Sequence, residues 1–262
     1  MGPGPIGLFD SGVGGLSVAR EIRRELPAED LLYVADSAYC PYGDREPGEV
    51  RERALAVGRH LQGSGAKLLV AACNTATGAA LESLRQALSI PVIGLEPAVK
   101  TGARLTRNRK IGVMATSGTL RSERFARLVQ AHAVGVEVVP QPCPGLADAI
   151  ESGALDGELL QGLLGAFVEP LRRAGVDTVV LGCTHYAFIQ EPLARLLGAE
   201  VQLVDSAPAI ARRVREVLEA GGLSGSPGTG TLRLLTTGKP SSLERRVGRL
   251  WPEPFEVEAV VL

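Results

Sequence analysis

The segment Leu68-Leu69-Val70-Ala71-Ala72-Cys73-Asn74-Thr75 returns 110 positions later as Thr178-Val179-Val180-Leu181-Gly182-Cys183-Thr184-His185. Each copy is a short apolar run, too brief for a buried helix, that breaks at a cysteine followed by side chains suited to helix capping. It reads as a buried strand turning into a helix. An earlier segment repeats in the same order: Ile6-Gly7-Leu8-Phe9-Asp10-Ser11-Gly12 recurs 105 positions on as Ile111-Gly112-Val113-Met114-Ala115-Thr116-Ser117-Gly118. Two features recurring in order at nearly one offset predict an internal duplication.

Between these landmarks, β-rich runs alternate with helical patterns. Strands are expected over 6–9, 31–35, 67–72 and 91–94, and helices over 16–26, 50–62 and 76–88. Strands regularly separated by helices mean βαβ units and a parallel sheet. The fold class is therefore α/β, with two similar parallel-sheet domains related by duplication. The first is expected over 1–97 and the second over 98–206. The remaining chain carries a helix over 209–220, a Gly/Ser/Pro-rich turn over 221–228 and an extended piece over 231–236. It is too short to be a domain and must lie on one of the halves.

The chain has 262 residues, 45% hydrophobic, 22% charged and 4% aromatic, enough to bury a core without disulfide or metal staples. Its 28 basic and 29 acidic side chains nearly cancel, leaving a net charge of -1 and no block of one sign. No nucleic acid and no membrane partner is expected from that balance. No apolar run approaches the roughly 18–20 residues that span a bilayer. The start, Met1 to Asp10, lacks the basic flank of a signal peptide, so a cytoplasmic location is expected.

The cysteines stand at 40, 73, 143 and 183, without C-x-x-C and without paired histidines, so no metal site is expected. Cys40 and Cys143 read as small, partly buried residues. Cys73 and Cys183 each lie where a parallel strand gives way to a helix, the place where open α/β sheets bind ligands. Free N–H groups and the helix dipole there are expected to lower a thiol pKa. Equivalent positions in duplicated halves set the two sulfurs facing one another across an interdomain cleft. Such a pair suits one chemistry above others: one thiolate removes a proton from carbon, and the other delivers one to the opposite face. Nucleophilic catalysis needs only one cysteine, and redox pairs are normally close in sequence.

The loop Asp10-Ser11-Gly12-Val13-Gly14-Gly15, with Asp36 ending the next strand, resembles a dinucleotide-binding layout but departs from G-x-G-x-x-G. Asp10 would repel a pyrophosphate. A carboxylate beside bare N–H groups fits a zwitterion, its ammonium near Asp10 and its carboxylate on N–H or hydroxyl groups. His185, two residues after Cys183, is placed to hold that sulfur as a thiolate or to relay its proton. None of the four lysines, Lys67, Lys100, Lys110 and Lys239, sits at a turn built for a Schiff base, so pyridoxal phosphate is not expected.

Five pieces of this chain, Phe9 to Leu16, Pro41-Tyr42-Gly43, Ala72 to Ala76, Gly182 to Tyr186 and Val204-Asp205-Ser206, occur in an order that resembles the cofactor-independent aspartate/glutamate racemase family, and within it the glutamate racemases. The resemblance implies that the segment 207–262 returns to the first half and that no cofactor is used. It implies that Cys73 takes the Cα proton of the D-isomer and Cys183 that of the L-isomer, with Asp10 and His185 as supporting acid/base groups. Asp10, Ser11, Tyr42, Gly43, Asn74, Thr75, Thr184 and His185 would bind L- or D-glutamate. Thr116 and Thr119 would be further contacts, and Glu151 a carboxylate near the second cysteine. Members supply D-glutamate for bacterial peptidoglycan, and many are homodimers. Aspartate racemases are similar in fold and in the cysteine pair, but Asp10-Ser11 and His185 favour glutamate. A small-ligand binding protein on the same scaffold, its cysteines inert, is the alternative of another class.

Overall fold

In the computed structural model, which describes residues 4–225 and 228–262, the alternation resolves into two sheets whose strand pairs are all parallel. Met1–Pro3 of the leader reading and Ser226-Pro227 of the turn over 221–228 lie outside the described residues. Strands β1 (Ile6–Asp10), β2 (Leu31–Ala35), β3 (Leu68–Ala71) and β4 (Val92–Gly94) run in the spatial order β2-β1-β3-β4. Strands β5 (Lys110–Ala115), β6 (Glu137–Pro142), β7 (Thr178–Gly182) and β8 (Gln202–Val204) run in the order β6-β5-β7-β8, the same arrangement repeated. The repeat extends to register: Ile6 lies opposite Leu68, and Ile111 opposite Thr178, so the two sequence offsets carry one strand pair onto the other.

Parallel pairing requires crossovers that cover both faces of a sheet, which is why the central strands read as unbroken apolar runs. Successive side chains leave a strand on opposite faces. Leu8 and Val70 accordingly join Leu16, Val18 and Ile22 of the helix Leu16–Glu25. Leu69 and Ala71 join Val57, Leu61 and Leu84 of the helices Pro47–Gly63 and Asn74–Ala87 on the other side. In the second half, Val179 and Leu181 meet Leu160, Leu164 and Val168 of the helix Gly157–Ala174, while Val113 and Val180 meet Val99 and Phe125.

Helix starts fall a little earlier than hydrophobic periodicity alone places them. Pro47 in the first turn lets its helix begin ahead of Val50. The helix expected from Ala76 begins at Asn74 because the Cys73 side chain caps it, accepting from the Ala76 N–H at 3.5 Å. After β8 the chain enters the helix Ala207–Ala220, which lies against Leu16–Glu25. Strand β9 (Leu232–Thr236) then pairs with β2, and β10 (Glu256–Ala259) with β9, completing a six-stranded first sheet. The intervening helix Pro240–Leu250 and β10, for which the sequence pattern predicts no element, bring Leu243, Val247 and Trp251 into the same core. The two chain passes between the sheets are tied together where the Ser206 hydroxyl donates to the Glu96 carbonyl at 2.6 Å. No described helix is long and apolar enough to cross a membrane.

Asp36, just beyond β2, is fully buried and both its oxygens are committed. Arg53 donates to Oδ1 at 2.8 Å and to Oδ2 at 3.0 Å, Tyr42 donates to Oδ2 at 2.5 Å, and Thr237 to Oδ1 at 2.8 Å. A nucleotide ribose would find no free acceptor there, which removes the structural support for the dinucleotide reading. The carboxylate instead ties the Tyr42 turn and the chain beyond β9 to one point. Replacing Asp36 by Ala is expected to cost about 3–5 kcal/mol, because it strands the Arg53 charge. Urea unfolding reads this as a lower midpoint; an unchanged midpoint would show that the cluster contributes little.

Candidate active site

The carboxyl ends of β1 and β3 in one half face those of β5 and β7 in the other. Ser11, Tyr42, Gly43, Cys73, Asn74, Thr75, Thr116, Cys183, Thr184 and His185 line one narrow cavity between them. The structure thus brings together nearly every residue singled out from the sequence. Asp10 lies just beneath this lining, fully buried and in contact with it through Thr184.

Cys73 and Cys183 occupy equivalent turns, but their settings differ. Cys73 caps a four-turn α-helix, whereas Cys183 precedes the 3₁₀ turn Thr184–Ile189 and makes no side-chain cap there. The expected lowering of the Cys73 thiol pKa is not found. Burial pushes it well above the ordinary thiol range, and the Asp10 charge adds to this, against the weaker opposing pull of the Ala76 and Thr75 N–H groups. In the closed site, desolvation wins over the helix terminus, and Cys73 holds its proton.

A different ionisable group lies near each cysteine, Asp10 near Cys73 and His185 near Cys183. Asp10 accepts from the Gly12 N–H at 2.9 Å and from Thr184 Oγ1 at 2.9 Å, so its two oxygens are held by opposite halves. Burial raises its pKa, against the lowering effect of His185 and these hydrogen bonds. His185 Nδ1 lies 3.8 Å from Cys183 Sγ, and Nε2 lies 2.7 Å from Glu151 Oε2. Burial alone would discharge this imidazole, but the bonds to Cys183 and Glu151 outweigh it and hold its pKa well above the usual value. Glu151 shows the mirror effect. Burial would raise its pKa, yet His185, the Val13 N–H and Arg246 bring it below the usual carboxylate range.

Glu151, expected near the second cysteine, therefore reaches it through His185. Its Oε2 also accepts from the Val13 N–H of the first half at 2.9 Å, and its Oε1 from Arg246 at 2.5 Å. The bare Cα of Gly14 permits this closeness: a Cβ there would lie 2.4 Å from His185 Nδ1 and 2.4 Å from Thr184 Oγ1. Thr75 Oγ1 lies 3.0 Å from Thr116 Oγ1 and 3.3 Å from Thr119 Oγ1, a hydroxyl cluster bridging the halves. Tyr42 walls the cavity, but its hydroxyl is spent on Asp36. It offers a ligand its ring and main chain. The Asn74 Oδ1 is buried without a partner among the described residues, an acceptor left for a ligand N–H.

Two groups escape the sequence reading. Arg246 lies about 95 residues from Glu151 on a helix that carries no motif, so no local pattern links them. Cys40 is only half-buried, yet its sulfur stands 3.9 Å from Ser11 Oγ at the rim of the site. Cys143, by contrast, is buried beneath the second half, as a small core residue.

The sequence profile of the family described as Asp/Glu/Hydantoin racemase matches residues 6–214. A glutamate racemase of Pseudomonas aeruginosa is 47% identical over 258 residues, 98% of this chain and 97% of that protein. The crystal structure of Escherichia coli glutamate racemase, in complex with L-glutamate and the activator UDP-MurNAc-Ala, aligns with a TM-score of 0.86 at 33% identity, covering 99% of this chain and 100% of that one. Glutamate racemase from Francisella tularensis, solved with D-glutamate, aligns with a TM-score of 0.88 at 27% identity, covering 99% and 98%. With its doubled parallel sheet and the paired cysteine turns facing one cavity, the chain belongs to the Asp/Glu/Hydantoin racemase family.

Proposed function

We propose that this racemase interconverts L- and D-glutamate by direct proton transfer at Cα, using Cys73 and Cys183 as the two acid/base groups. The observation that carries the reading is the pair of cysteines at duplicated turns, lining one small cavity from opposite halves, each beside a different proton-handling group. The relatives of known structure bind L-glutamate in one case and D-glutamate in the other.

The substrate ammonium is assigned to the Asp10 side of the cavity, near the unpartnered Asn74 Oδ1. The carboxylates fall to the hydroxyls of Ser11, Thr75 and Thr184 and to the main chain at Gly43. Cys183, held as a thiolate beside the protonated His185, takes the Cα proton of L-glutamate; the Cys73 thiol delivers one to the opposite face, giving the D-isomer. The reverse reaction starts with Cys73 passing its proton toward Asp10, whose raised pKa makes it an acceptor nearer in strength to a thiol. Burial leaves Cys73 protonated at rest, which is the form the L-to-D direction needs. The pairing of β9 and β10 with the first sheet supports a division into 1–97 with 207–262, and 98–206. A cytoplasmic homodimer supplying D-glutamate for peptidoglycan completes the reading.

Incubation with L-glutamate in D2O, without added cofactor, is expected to show loss of optical rotation together with deuterium at Cα. Activity on L-aspartate alone would move the protein to the sister reaction, and activity on neither would favour the binding-protein reading. Replacing Cys73 or Cys183 by Ala is expected to lower turnover in both directions by about 10²- to 10⁴-fold. A single variant with near-normal turnover would overturn the two-base assignment. His185→Asn is expected to slow L-to-D turnover more than D-to-L, since of the two acid/base cysteines it is Cys183 that lies against the ring. Equal loss in both directions, measured by circular dichroism of product formation, would remove His185 from that role.

A further inference from the structure

Cys40 takes no part in the proton transfers above, yet its sulfur, an oxygen of Glu151 and a ring nitrogen of His185 all lie within 4.8 Å of one another. Thiolate, imidazole and carboxylate are the ligand set of a three-residue zinc site with an open fourth position. Among the described residues this is the sole such cluster of His, Cys and acidic side chains. It is assembled from three distant segments, so ligand spacing in the sequence gives no sign of it. We propose that Cys40, Glu151 and His185 form an inhibitory binding site for a zinc-like divalent cation at the edge of the active-site cleft.

The outer contacts of a metal centre are already present. His185 directs Nδ1 toward Cys183 Sγ, leaving Nε2 as the ligand atom, and Glu151 Oε1 is held by Arg246 at 2.5 Å. Such contacts fix the orientation of metal-binding side chains. Glu151 and Cys40 both crowd the bare Cα of Gly12, where a Cβ would lie 2.3 Å from Glu151 Oε2 and 2.8 Å from Cys40 Sγ. The half-buried Cys40 supplies a route in for a thiophilic ion, while Glu151 and His185 are buried. On binding, the Cys40 thiol and the His185 Nε2–H release their protons to solvent, and the cation takes the place of the proton between His185 and Glu151. With Nε2 occupied, the ring loses its second proton site and is pinned to Glu151 and Cys40. His185 then no longer exchanges protons with Cys183, and racemization stops.

The inhibitory consequence rests on the racemase reading, but the binding does not. Two readouts on the full chain keep their failures apart: turnover against added ZnCl2, with and without EDTA, and the sulfur-to-cobalt absorption band after loading with CoCl2. Zinc is expected to inhibit reversibly, and the cobalt protein to show the thiolate band. Cys40→Ser is expected to retain basal turnover, to lose the band, and to need at least about tenfold more zinc for the same inhibition. Cys40→Ala serves as the second variant, with circular dichroism reporting its fold. Equal zinc sensitivity of wild type and variants, or an unchanged cobalt band, would place the metal on Cys73 and Cys183 and overturn the proposal, as would a wild type without the band. If racemase activity is absent but the band appears and depends on Cys40, the site stands and only its inhibitory meaning falls.

Discussion

The carboxylate of Glu151 is the contact on which the closed site depends. It is buried between the halves and answers to three parts of the chain: the Val13 N–H of the first half, His185 of the second, and Arg246 of the C-terminal helix. An uncompensated carboxylate at that depth would be costly, but here each acceptor position has a donor. Together with Cys183, it holds the His185 pKa well above the usual value against desolvation. The same group thus draws the two halves together and sets the electrostatic state of the imidazole beside Cys183.

The duplicated fold supplies symmetry where the chemistry needs it and breaks it where it does not. The strand order and register of the two halves coincide, which delivers two cysteines to corresponding turns. The ionisable groups beside them do not correspond. In that alignment Asp10 falls on Ala115, and His185 on Thr75, so the carboxylate belongs to one half and the imidazole to the other. On the proposed reading, two mirror-image substrates meet one symmetric pair of sulfurs backed by unlike groups. On that reading the resting form, with the Cys73 pKa raised by burial, is the one that starts from the L-isomer.

Local pattern carried much of this into the sequence. Apolar runs bounded by capping residues located β1, β3, β5 and β7, and the turns that end them hold Asp10, Ser11, Cys73, Asn74, Thr116, Cys183 and His185. What depends on side chains meeting over long separations was not legible. Arg246 reaches Glu151 from an amphipathic helix with no motif, and the Tyr42 hydroxyl turns to Asp36 and away from the cavity. The Cys73 pKa failed for a related reason. A helix N-terminus can be read from a sequence, but the depth of burial that overrides it depends on how the halves close.

The return of the chain to its first sheet also fixes the order in which the protein can be completed during synthesis. β2 is paired on one side by β1, but its other partner, β9, is made about 200 residues later, after the whole second sheet. Until then β2 is an open edge of the kind that recruits foreign strands. The second half, whose strands are contiguous in the chain, has all its partners as soon as it is made. A nascent chain therefore carries one finished sheet and one waiting sheet, and its period of greatest exposure to misassembly and to chaperones lasts until residues 232–236 are released.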